Sequence, residues 1–93
     1  MKDKSMTVKE IIELKINDAL KSDMLEVIDE SHKHAGHVGA RPEGETHFHI
    51  NMISSAFNGQ SRVASQRMIY KILADELAGP VHALSLNVKG TED

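Results

Sequence analysis

The sequence predicts an α+β domain of order αββααβ: a three-stranded sheet with helices packed on one face. Three observations carry this. Apolar residues recur at three- and four-residue steps near the N-terminus and again beyond residue 61. Apolar and polar residues alternate in three short stretches, 24–31, 46–54 and 81–89. The length, 93 residues, fits one small domain with a single core.

The first helix is announced by Thr7-Val8-Lys9-Glu10, a capping box in which the Thr hydroxyl accepts from the Glu10 amide and the Glu side chain reaches back. Val8, Ile11, Ile12, Ile16, Ala19 and Leu20 then form one apolar stripe, placing the helix at 8–21. In 24–31, Leu25 and Val27 alternate with Glu26. In 46–54, Thr46, Phe48, Ile50 and Met52 point one way, and His47, His49, Asn51 and Ile53 the other. Asn58-Gly59 signals a turn and Ser61 an N-cap. Ile69, Leu73 and Leu77 share a helical face with Tyr70 beside it, over 61–77; a break near Ser65 would split this stretch into two helices, and an unbroken helix would give the order αββαβ. Gly79-Pro80 ends the helix. The last strand, 81–89, sets His82, Leu84, Leu86 and Val88 on one side. Residues 1–93 read as one domain, with 1–6 and 90–93 expected to be flexible. One face of the sheet is left open.

Composition narrows the function. Hydrophobic residues make up 40%, yet Phe48, Phe57 and Tyr70 are all the aromatics, so the core is aliphatic. There is no cysteine, hence no disulfide, thiol nucleophile or thiolate ligand from this chain. The net charge of −3 argues against a chain built mainly for phosphate backbones. No apolar run approaches the roughly 20 residues needed to span a bilayer, and the N-terminus shows no secretory h-region. A cytoplasmic protein that does not enter a membrane is expected.

The sequence shows no G-x-S-x-G elbow, H-E-x-x-H pair or Gly-rich phosphate loop. Asp29 and Glu30 are adjacent, so on a strand they face opposite ways and do not work as an acid–base pair. The expectation is a protein that is not an enzyme. Five of the six histidines, however, fall within 30–50. His47 and His49 lie on one strand face and fit a solvated polar surface. His32, His34 and His37 sit in or beside a loop bearing Gly36 and Gly39, and read equally well as metal donors or as ordinary loop polarity. His82 opens the last strand, and spacing alone suits a half-buried histidine with a satisfied hydrogen bond. Gly36-His37-Val38-Gly39 matches the G-x-x-G of KH modules, but there the loop joins two helices and here two strands.

Taken in order, "LEVIDESHKHAGH", "ETHFHINMISSAFNG", "SRVASQRMIYKILADEL" and "GPVHALSLNVKGTED" resemble the BolA family across about residues 8–91. The resemblance implies a class II KH-like topology. It also implies a partner, a monothiol glutaredoxin, with which BolA-like proteins share a glutathione-containing [2Fe–2S] cluster. The family's histidine ligand falls on His82. A second ligand, cysteine or histidine in different members, comes from the loop between the first two strands; it falls on His34, with His37 as the substitute. This cysteine-free chain looks like the histidine type. Imidazole replaces thiolate on one iron of Rieske centres, so nitrogen donors here would complement sulfur from glutaredoxin and glutathione. The family's Arg-His-Arg run is Ser65-Gln66-Arg67 in this chain, which puts in doubt a DNA-binding role.

The sequence therefore points to a non-enzymatic glutaredoxin partner that holds, tunes or delivers a [2Fe–2S] cluster through His82 and His34 or His37. One alternative is a KH-like DNA-binding transcriptional regulator using Arg62, Arg67 and Lys71. A further one is mononuclear metal binding by the loop histidines alone.

Overall fold

The computed structural model describes residues 6–31 and 45–92. Its elements are α1 (Val8–Ala19), β1 (Met24–Asp29), β2 (His47–Ile53), α2 (Arg62–Ile72), α3 (Ala74–Ala78) and β3 (Ala83–Lys89), with a 3-10 turn at Ser55–Phe57 after β2. The expected order αββααβ is present. Strand β2 lies in the middle of the sheet, antiparallel to β1 and parallel to β3. A parallel neighbour demands a long crossover, and α2 with α3 supplies it.

The capping box is complete: Thr7 accepts from the Glu10 amide at 3.1 Å and its own amide donates to the Glu10 carboxylate at 2.9 Å. Helix α1 stops at Ala19, two residues short of expectation, because Leu20 takes an extended conformation and starts the approach to β1. Ser61 caps α2 at the Ala64 amide, and the Asn58-Gly59 turn uses a positive φ of 77° at Gly59.

The helix break belongs at Leu73, not near Ser65. Ser65 is buried inside α2 and its amide bonds the Ser61 carbonyl at 2.9 Å, so the helix runs on through it. Leu73 leaves helical geometry (φ −101°, ψ 22°) and its carbonyl accepts from Leu77, restarting the chain as α3. Burial of Leu73, 1% exposed, decides where the chain bends.

The core lies between the helices and one sheet face. Ile12 and Ile16 of α1, Ile69 of α2 and Leu73 meet Val27, Phe48, Ile50 and Met52 of the sheet, with Phe57 and Val81 closing the ends. Strand β2 is buried at every second residue, as its alternation requires. The opposite face carries Glu26, His49, Asn51, Ser85 and Asn87 in a hydrogen-bonded row across all three strands. Asn51 donates to Glu26 at 3.0 Å and accepts from Asn87 at 3.2 Å, while His49 bonds Ser85 at 2.6 Å and Asn51 at 3.1 Å.

The C-terminal residues expected to be flexible are tied down as far as Glu92. Gly90 is buried against Asn58, whose Oδ1 accepts from the Thr91 amide at 2.7 Å and the Glu92 amide at 3.4 Å. Residues 1–5 and 93 lie outside the described residues, as do His32, His34, His37 and the G-x-x-G segment.

Candidate metal-binding site at the end of the sheet

Thr46 organises the end of the sheet where β2 and β3 begin. Its carbonyl accepts from both the His82 amide, at 2.7 Å, and the Ala83 amide, at 3.2 Å. Two consecutive amides turned to one oxygen cannot follow strand alternation, so the strand begins only at Ala83. His82 is therefore not the half-buried strand residue that spacing suggests: it precedes β3 and is exposed. Its backbone is fixed while its imidazole reaches solvent.

Ser31 fastens the same corner from the other side. Its hydroxyl oxygen accepts from the Thr46 amide at 2.8 Å and the His47 amide at 3.2 Å. Ser31 is 6% and Thr46 0% exposed, so the Thr46 amide needs this acceptor in a place that water does not reach. Because Ser31 precedes the loop and Thr46 follows it, this clasp brings together both ends of the segment that carries His34 and His37.

His47 was missed as a site residue. Parallel pairing sets it beside Ala83, and its ring lies 6.3 Å from the His82 ring with planes 18° from parallel. Its Nδ1 is within 2.7 Å of the Thr46 hydroxyl, an arrangement that fixes ring orientation as a second-sphere partner does for metal-bound histidine. A 270 Å³ cleft lined by Glu30, His47, Phe48, Ala83, Leu84 and Ser85 opens alongside. Reading β2 alone could not find this pair, because the contact exists only through the β2–β3 pairing.

Nitrogen donors suit a borderline metal such as iron. Among the described residues no three His, Asp or Glu side chains are close enough to hold a metal ion. A site here needs donors beyond the described residues of this chain.

The basic residues behave differently. Arg62, Arg67 and Lys71 are all exposed on α2, and among the described residues none forms an ion pair. They do not share one face, however. Arg67 and Lys71 are one turn apart, whereas Arg62 is rotated roughly 140° from Arg67. No helix among the described residues is long and apolar enough to cross a membrane.

The family model for BolA-like proteins matches residues 16–93. The chain belongs to the BolA-like family. This BolA-like chain is 48% identical to the Arabidopsis thaliana SufE-like protein 1, chloroplastic/mitochondrial, over 70% of its own length but only 19% of that longer protein. It is 40% identical to the DNA-binding transcriptional regulator BolA of Escherichia coli (strain K12), over 88% of this chain and 74% of that one. Among solved structures, the BolA domain of SufE1 from Arabidopsis thaliana superposes with a TM-score of 0.82 at 40% identity, covering 94% of this chain and 96% of that one. The α+β fold expected from the sequence is thus also that of BolA domains.

Proposed function

We propose that this BolA-like chain is a non-enzymatic partner of a monothiol glutaredoxin, helping to hold, tune or deliver a glutathione-containing [2Fe–2S] cluster. The observation that carries the reading is His82: an exposed imidazole on a backbone locked to Thr46, at the corner where both ends of the His34–His37 loop converge. His82 serves as the fixed donor, and His34 or His37 as the donor carried by the loop. With no cysteine in the chain, thiolates come from glutaredoxin and glutathione. Imidazole in place of thiolate raises a cluster's reduction potential, which is the tuning this chain would supply. Because a protonated ring cannot bind metal, such binding weakens in acid.

Anaerobic reconstitution of the chain with a monothiol glutaredoxin, glutathione, iron and sulfide tests this. A heterodimer should form whose visible absorption and circular dichroism differ from those of the glutaredoxin alone. His82→Ala should abolish that difference, and His34→Ala or His37→Ala should alter it. An unchanged spectrum with His82→Ala removes the ligand assignment.

A second reading, a DNA-binding regulator, is favoured by the name of the Escherichia coli relative and by the unpaired cations of α2. Two phosphate contacts, from Arg67 and Lys71, would make affinity fall roughly 12-fold between 50 and 200 mM salt. Binding with that slope, intact in His82→Ala, would support the regulator over the cluster partner.

A further inference from the structure

We infer that the outer surface of the helical layer is a self-complementary docking face, and that its occupant is a second copy of this chain related by a two-fold axis between α1 and α2. This is independent of the cluster reading and uses none of its residues.

Helix α1 buries Ile12 and Ile16 against the sheet. Leu14, two residues on from Ile12, points the opposite way and is 59% exposed. Exposed Glu10 and Asp18 lie one turn before and after it, with half-buried Glu13 beside them. The cations of α1 do not offset this charge on that face: Lys15 is held by Glu76 of α3 at 2.9 Å, and Lys9 lies on the flank.

Helix α2 presents the opposite pattern. It buries Ser65 and Ile69, so Val63, Arg67 and Tyr70 recur at four and three residues on the outer side. Val63 is 54% and Tyr70 40% exposed. Arg67 and Lys71 supply two positive charges, and α2 contains no acidic residue. These apolar side chains, with Leu14, are three of the four exposed large hydrophobics among the described residues. Tyr and Arg are also enriched in protein interfaces.

The two helices touch within the same layer, α1 over β1 and α2 over β3. A two-fold axis between them sets α1 of each copy on α2 of the other. Leu14 then meets Val63 and Tyr70, and the Glu10–Asp18 side meets Arg67 and Lys71, each contact made twice. Such an interface closes on itself and stops at two copies. Two helices of this length offer roughly 700 Å² in total, below the range of stable complexes, so the dimer is weak and transient. The open sheet face and His82 lie away from this surface and stay accessible.

Sedimentation equilibrium of the full chain tests this. At low salt the expected weight is monomeric near 20 μM and mostly dimeric near 1 mM, with a Kd on the order of 0.1 mM. Raising salt to about 0.5 M should weaken it several-fold. Glu10→Lys/Asp18→Lys makes both faces basic and Arg67→Glu/Lys71→Glu makes both acidic. Each variant alone should stay monomeric at 1 mM while keeping its far-UV circular dichroism. Mixed one to one, they should form heterodimers, since each face then meets its opposite. Three results would each overturn the proposal: a wild-type monomer at 1 mM in low salt, oligomers growing beyond two, or a mixture that associates no better than its components.

Discussion

Ser31→Ala is the sharpest test of how the corner at β2 and β3 is built. The Ser31 oxygen accepts from two main-chain amides, Thr46 at 2.8 Å and His47 at 3.2 Å, in a place where Ser31 and Thr46 are almost wholly removed from solvent. Alanine fits the same space but takes the Ser31 acceptor away from the buried Thr46 amide and from the amide of half-exposed His47. A buried donor left unpaired costs about 1–3 kcal/mol. The shorter contact belongs to the fully buried amide and takes the upper part of that range, about 2–3 kcal/mol; the longer one belongs to half-exposed His47 and adds about 0–1 kcal/mol. A loss of about 2–4 kcal/mol follows, which lowers Tm by roughly 10–20 °C in a domain of this size. Thr46→Val is the matched control. It removes the hydroxyl that holds His47 Nδ1 but keeps the amide bonded to Ser31, and His47 is half exposed, so the cost is about 1 kcal/mol. Urea unfolding followed by far-UV circular dichroism gives both values, with unchanged m showing that the unfolded state is not the cause. If Ser31→Ala costs less than Thr46→Val, the amide clasp is not what holds this corner.

Two further outcomes follow from packing and charge. Gly90→Ala should lose about 1–3 kcal/mol, because an added Cβ would run into the Asn58 side chain and come within 3.2 Å of its Cα and N; adding Asn58→Ala should recover part of this, a non-additivity measurable by the same urea series. The Glu76 carboxylate bonded to Lys15 holds that ammonium above its usual 10.5. A folded pKa above the unfolded one stabilises fully below 10.5 and is lost as pH climbs through the folded value. Lys15→Met should therefore cost about 0.5–1 kcal/mol at neutral pH, allowing for solvent screening, and the gap should narrow progressively in melts taken as pH rises past 10.5 toward the higher folded value.

Much of the fold is legible in the sequence because local chemistry writes it there. The Thr7–Glu10 box, the Ser61 cap and the positive φ at Gly59 depend only on residues within one turn. The alternation of Phe48, Ile50 and Met52 against His47, His49 and Asn51 depends only on the two-residue period of a strand. The break at Leu73 was not legible, since a buried leucine breaks no local rule. The basic residues were grouped too generously: the period of α2 already separates Arg62 from Arg67 and Lys71.

The candidate site divides along the same line. Sequence by itself determined which side chains the chain offers, imidazoles and no thiols, because residue identity is all that question requires. It also determined which family the strands and helices resemble. Only the tertiary structure decided that His82 leaves the strand pattern and that His47 lies beside it. Both follow from a parallel pairing between segments 36 residues apart and from one Thr46 carbonyl shared by two amides. Hydrogen bonds between distant segments leave no periodic mark on either segment.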